Sequence, residues 1–577
     1  MKDLELQKEF RLKSGKSILS YVQRFSATEK AVFGLLVIIA GVSALLMAGN
    51  INSYFTTEIP GYGGEIREGI IGLPRTINPI LAVTDVDRDM SALIYSGLMK
   101  YSGNDLVPDL AESYKISDDG LTYTFTLREG LHFHDGEPLT AEDVAFTVQK
   151  IQDPALKSPR RADWLNVTAT VVSSREIRFA LKQPYSPFLT NNTIGIIPKH
   201  IWNNVSNDQF IFSQFNIEPI GSGPFMKSTV AHDAGSIPTT YRLISWNGYY
   251  GKAAHIDSIT FHFFADMEKA LSALDSGTID SIASISSSQA KRLAANSGEI
   301  YKVLSAPLPR IFGVFFNQSQ SPVLADKTVR QALNMSVDRA AIVDTVLDDY
   351  GIAIDGPLPA ANGTTTSGFD IAAAQALLEK NGWNKNSTTG IYEKKGSKNT
   401  VQSLAFDIYT ADTTDLKQAA EMVKNSWNAL GAQVSVKVFE PSDLYQNIIR
   451  TRKYDALLFG ELIGKDHDVY AFWHSSQRNS PGLNVSMYAN SKVDKLLEDI
   501  RQTSSADGRM AKYTELDRLI SADIPAVFIY SPDFIYVAPK ALRGISLYNI
   551  TTPSDRFNSI EKWYVTTEKV WKVFSDY

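Results

Sequence analysis

Leu121, Tyr123, Phe125 and Leu127 alternate with threonines directly after an Asp119-Gly120 pair, a pattern that predicts a tight turn feeding a half-buried antiparallel strand. Thr140-Ala-Glu-Asp143 then reads as a capping-box variant opening a helix that carries Val144, Phe146 and Val148. Farther on, Leu416, Ala419, Ala420, Val423, Trp427 and Leu430 fall on one helical face, and Gly431 supplies a left-handed stop. Val434, Val436 and Val438 alternate as a strand immediately afterwards, and the apolar run Tyr454–Gly460 predicts a more deeply buried one. Residues 326–347 read as two helices, begun by Asp326 and Asp338, whose charges are expected on solvated faces. Helix and strand alternate with no internal repeat, which indicates an α/β protein with a largely covered sheet.

One stretch breaks that alternation. Ala31–Gly49 is uncharged and apolar, and at 1.5 Å per residue it nearly spans a hydrocarbon core about 30 Å thick. Seven lysines and arginines against four acids precede it, and no cation follows until Arg67, so the bias places residues 1–30 in the cytoplasm and the bulk of the chain outside. The long leader and the bulky Leu46 and Met47 favour a retained single-pass anchor over a cleaved signal. Asn50–Gly64, with Pro60 and three glycines, is expected to be a linker.

Composition narrows the chemistry. The 577 residues are 44% apolar and 21% charged with a formal net charge of -6, too apolar for disorder and without the basic block a nucleic-acid partner requires. Cysteine is absent, which excludes disulfides, thiolate metal sites, cysteine nucleophiles and a lipid-modified N-terminal cysteine. No phosphate-binding loop, dinucleotide fingerprint or nucleophile elbow occurs. Asp85-Val-Asp87-Arg-Asp89 starts like a calcium loop, but Met90 stands where glycine is needed and Ser96 where a bidentate glutamate belongs. His132 and His134 share one side of a strand, yet the Asp135-Gly136 turn beside them reads as a solvent-facing strand end. Nothing points to an enzyme, a cofactor or a resident metal.

The order of several short motifs is more specific. Arg75-Thr-Ile-Asn-Pro79 precedes the long block from Tyr95 to Val148, followed by Glu218-Pro-Ile-Gly-Ser-Gly-Pro-Phe225, Asn247-Gly-Tyr-Tyr250, Leu274-Asp-Ser-Gly-Thr-Ile-Asp280, Phe316-Asn-Gln-Ser319 and Asp326-Lys-Thr-Val-Arg-Gln-Ala-Leu333. From about residue 68 to beyond Ile529 the chain resembles the family 5 extracellular solute-binding proteins, the peptide-binding receptors of ABC importers. The resemblance implies a two-lobed, Venus-flytrap-like α/β protein. Lobe I would take residues 65–305 and 528–577 with an extra subdomain near 103–188, lobe II would take 308–527, and hinge crossings would fall near Leu304–Ile311 and Ala526–Pro532. It also implies a monomeric receptor that captures oligopeptides and passes them to separate permease and ATPase subunits. Nickel chelates, haem, opines and oligosaccharides are the other cargoes of such scaffolds, and an anchored extracellular hydrolase or a sensor is the reading from outside the family.

In peptide-binding members an acidic residue a few positions before a D/E-P step meets the ligand's amine. The matching stretch here is Gly460–His474, in which Asp468 takes the acid of that step, Val469 replaces proline and Lys465 meets the usual clamp position. The resemblance therefore points to Asp466 or Asp468 as the carboxylate, with Tyr470, Trp473 and His474 lining the cleft. The alternative is that the aromatics pack within the lobe and the acids cap a helix beginning near Val469. The His467/His474 pair keeps a metal chelate open as cargo.

Overall fold

A computed structural model of the chain describes residues 22–574 apart from 297–299, 359–367, 397–399, 465–466, 504 and 549, and the chain divides into two compact units. The smaller comprises the N-terminal segment through Gly61 together with Thr566–Tyr577. Its helix, Ala27–Phe55, contains the window Ala27–Met47, long and apolar enough to cross a membrane, with mean hydropathy 2.3 and nothing in it buried by protein. The helix continues past Gly49, and Thr56–Pro60 then pairs antiparallel with Thr567–Trp571. The first part of the expected linker is therefore helix and strand. Threonine and isoleucine suit the pleat, and Glu58 lies opposite Lys569, but the partner strand is some 500 residues distant and so out of reach of local pattern.

The larger unit, Tyr62–Val565, is built on two sheets that share one strand. In the first, Glu65–Ile71 lies between parallel strands Ser258–Phe264 and Ser281–Ala283, and Pro238–Ser245 and Phe225–His232 extend it antiparallel. In the second, Ala405–Ala411 lies between parallel strands Gln433–Phe439 and Ala456–Leu462, and Arg310–Phe316 runs antiparallel to the last of these. The shared strand is Ala526–Pro539. Its first half pairs with Arg310–Phe316 in the second sheet and its second half with Tyr301–Pro307 in the first. Between these ladders the two crossing segments clasp each other: Leu308 N donates to Pro532 O at 3.1 Å, and Ser531 Oγ donates to Leu308 O at 2.8 Å. This is the two-lobed α/β architecture that the resemblance implied.

The alternating strand forms as expected. Thr122–Leu127 is central in a separate four-stranded antiparallel sheet with Ala111–Ile116, Glu176–Leu181 and Val167–Ser173, and its Tyr123, Phe125 and Leu127 are buried. Thr140 caps the helix Ala141–Gln152 with the reciprocal Asp143 bond, and Gly431, at φ 112°, ends the helix Thr414–Leu430. Ala456, Leu457 and Leu458 are all fully buried because both faces of their sheet are covered, which is why that run does not alternate. The solvated faces expected for residues 326–347 are corrected at two places. Arg330 and Arg339 are buried, and their guanidinium groups donate to main-chain carbonyls, Arg330 to those of Leu324 and Ile524 and Arg339 to those of Ile354 and Phe528.

The calcium-like acids are structural. Asp87 accepts from the Arg75 and Thr76 amides at 2.8 Å each, and Asp89 meets Arg556. His132 is exposed, but His134 is not the free strand end expected of it. Its Nδ1 accepts from Gly221 N at 3.2 Å and its Nε2 donates to Gly223 O at 3.1 Å, joining two of the motifs. Burial holds the imidazole down at about 4, below its ordinary value near 6.5. A depressed histidine value means the unfolded chain takes up a proton that the native one refuses, so this contribution is complete above pH 6.5 and fades as the pH falls toward 4. Urea unfolding should lose about 1–2 kcal/mol between pH 7 and pH 5 on this account, and His134→Gln should flatten that slope. An unchanged slope in the variant would show that His134 titrates normally.

Candidate functional site at the hinge

In both sheets the carboxyl ends of the parallel strands point toward the crossings. In the second sheet Leu462 pairs with Arg310, the first residue beyond the crossing, and in the first sheet Ser284, just past its strand, donates to Ile535 O. Chain order also reverses around Ala405–Ala411, whose successor in sequence lies on one side and the next strand on the other. Such a reversal leaves a crevice outside the carboxyl ends of the strands, where ligands bind in open α/β sheets. Ile71 and Leu73 from one lobe and Leu462 from the other are apolar residues left exposed at these ends.

The segment singled out in the sequence leaves this spot directly. Asp466 lies outside the described residues. Asp468 accepts from Tyr470 N at 3.2 Å, one residue ahead of the cap position Val469, and receives the fork of Arg501, Nε at 2.9 Å and Nη2 at 2.7 Å. The guanidinium also sits 3.8 Å from the centre of the Tyr470 ring, a cation–π contact, and Tyr470 stacks on His474 with centroids 4.2 Å apart. His474 is buried, with Nδ1 against Ser476 Oγ at 2.8 Å and Nε2 3.4 Å from Glu498. Trp473 is fully buried among Phe315, Tyr488 and Phe528, so its ring belongs to the core of the lobe and does not line the cleft. The reason is local: a one-turn helix, Tyr470–Trp473, turns its fourth residue back under the sheet.

Arg501 was not legible as a site residue. It lies in the last turn of the helix Ser491–Gln502, where a cation ordinarily complements the helix dipole. Its carbonyl accepts from Ser186 N at 2.9 Å, and its guanidinium lies 6.0 Å from the Tyr185 ring, so residues beyond the four-stranded sheet reach the second lobe here. Glu461 was missed as well. It stands within the buried strand, 3% exposed, with neither carboxyl oxygen hydrogen-bonded, and burial pushes its carboxyl well above the usual range. A single acid in an otherwise apolar strand was the available signal. Among the described residues no three His, Asp or Glu side chains converge as a metal ion would require.

Two sheet-centred lobes, joined by clasped crossings and facing each other across their strand ends, define a protein that binds a solute between them. The profile of the family described as bacterial extracellular solute-binding proteins, family 5 middle, matches residues 105–482, and the chain belongs to that family. It is 28% identical over 520 residues to the oligopeptide-binding protein AppA of Bacillus subtilis, covering 88% of this chain and 92% of that one. The solved structure of AppA in complex with a nonapeptide superposes with a TM-score of 0.67 at 26% identity, covering 88% of this chain and all of the other. NikZ of Campylobacter jejuni, solved with Ni(L-His), superposes with a TM-score of 0.69 at 26% identity, covering 87% and 99%. These relatives are substrate-binding proteins and not enzymes, and this chain is a solute-binding receptor of the kind that serves ABC importers.

Proposed function

We propose that this receptor captures oligopeptides by closing its lobes about the clasped crossings and presents them, from a membrane anchor, to a separate ABC permease. The carrying observation is the crevice between two sets of strand ends. Hinge closure around it turns extra contact in the closed form into affinity, and exposed main chain at strand ends pairs with peptide backbone whatever the side chains. The likeness to AppA supports a peptide as cargo. The N-terminal helix supports the anchor, as do exposed Tyr54 and Phe55, past its apolar window, and exposed Trp571, with Lys572 over the Tyr54 ring, a composition suited to a membrane–water boundary. Because the Arg501 fork already engages Asp468, the ligand's amine falls to Asp466, and Asp468 acts through Arg501.

Native mass spectrometry of the full chain in detergent, purified from cells, is expected to show an intact peptide mixture. Recovery of nickel–histidine complexes instead would transfer the reading to that cargo. On added peptides, Asp466→Asn should weaken binding by tenfold or more by removing the charge proposed to pair with the amine. Asp468→Asn should weaken it less, and unchanged affinity in both variants would sink the carboxylate clamp.

A further inference from the structure

In the second lobe a pocket of about 330 Å³ lies over the strand Ala456–Leu462. Its walls are mainly apolar, with Ile449, Phe459, Phe472, Leu483 and Val485 among them, and Glu461 is the one acid in the lining. Phe459 and Glu461 leave the strand on the same face because strand side chains alternate, and this is the face packed by Leu457, Phe472 and Trp473. The volume is at the lower end of the range for small-molecule sites.

The carboxyl of Glu461 is the anomaly. Both oxygens are shut off from solvent and neither has a hydrogen-bond partner. A buried carboxylate without a partner is costly, and a carboxyl that serves only packing is replaceable by leucine. The two arginines of the lining do not serve it. Arg452 donates to the carbonyls of Arg478, Ile449 and Gly482, and Arg450 is exposed. Apolar walls with one unsatisfied acid match a particular kind of guest, an alkyl stem ending in a cation.

We propose that the Glu461 pocket is a subsite for the side chain of a lysine or arginine in the bound peptide, the aliphatic stem lying against the apolar walls and the cationic head pairing with Glu461. The inference rests on the peptide reading above. Entry of the cation turns the carboxyl, whose oxygens otherwise lie behind the pocket wall, into the pocket and ionises it, so binding releases a proton to solvent. The other titratable groups around the pocket are Arg450, Arg452 and Tyr445 of its lining and Tyr454, which packs beneath, donates to Val485 O and is pushed up to about 12 by burial.

The test titrates the full chain in detergent with two pools of alanine pentapeptides, carrying one lysine or one norleucine at each position in turn, in two buffers of different ionisation enthalpy. The native protein should bind the lysine pool at least tenfold more tightly and release about one proton per peptide. Glu461→Gln should bring the two pools within twofold and abolish the release. Glu461→Leu, which removes the orphaned acid and should unfold at a higher temperature, must show the same loss of selectivity, so a misfolded Gln variant does not stall the test. Equal binding of both pools by the native protein, or selectivity that survives in the variants, overturns the subsite. If neither pool binds, the peptide reading fails, and 1,5-diaminopentane titrated in the same way decides the subsite: binding lost in Glu461→Leu supports it, and no binding to the native protein overturns it.

Discussion

Arg556→Met is expected to destabilise the larger unit by about 3–5 kcal/mol, the scale for removing one partner from a buried ion network. Arg556 is fully buried and donates in a fork to Asp89, at 3.0 and 2.7 Å, and to Glu68 at 3.0 Å. Glu68 also accepts from Tyr536 at 2.8 Å and from Ser281, and the guanidinium lies 4.0 Å from the centre of the Phe557 ring. The network ties the central strand of the first sheet to the shared crossing strand and to the turn Pro553–Lys562. Methionine has a similar reach but leaves two buried carboxyls facing one another. Burial already drives the Asp89 carboxyl up to about 6 in the presence of the guanidinium, so without it Asp89 should hold a proton near neutral pH. Urea unfolding followed by tryptophan fluorescence should show the loss, with more proton uptake on folding at pH 7 than in the native protein. A loss below about 1 kcal/mol would mean that the cluster relaxes or hydrates, and that Arg556 does not hold the first sheet to the crossing.

Gly221→Ala should cost about 2–3 kcal/mol, at the upper end for overpacking. A methyl group there would lie 2.0 Å from Ile94 O, which belongs to main chain and cannot swing aside. The same residue donates to His134 Nδ1 and accepts from His134 N at 2.8 Å, so any shift that relieves the clash also loosens the joint between the two motifs. Gly223 meets the same wall, 2.6 Å from Leu93 O. Gly368→Ala, where nothing lies within 4 Å, is the control and should change stability by less than about 0.5 kcal/mol. Equal stability of the two variants would show that the close approach of Gly221 to the Ile94 carbonyl is not needed.

Both losses arise from contacts between segments distant in sequence, and that divides what was legible from what was not. The turn at Asp119-Gly120, the box at Thr140 and the stop at Gly431 were readable because a cap or a turn is closed by residues a few positions apart. The order of motifs carried the family, and with it the two lobes and the kind of site. The charges of the 326–347 helices were misread because a guanidinium finds buried carbonyls only after another strand has packed over it, as Arg339 finds Phe528.

The site shows the same division at higher resolution. The stretch after Gly460, proposed here as part of the site, could be singled out in the sequence by its position in the motif order. Which residues face the cleft was not. Tyr470, Trp473 and His474 are near neighbours in sequence, yet one turn of helix sends Trp473 into the core and leaves Tyr470 beneath the guanidinium of Arg501. What the sequence by itself determined is the set of local elements, the apolar N-terminal span and the class of receptor, because these depend on neighbours or on motif order. The engagement of Asp468 by Arg501, the orphaned carboxyl of Glu461 and the pairing of the two terminal strands were decided only by tertiary structure, because burial and partnership belong to segments that meet after folding.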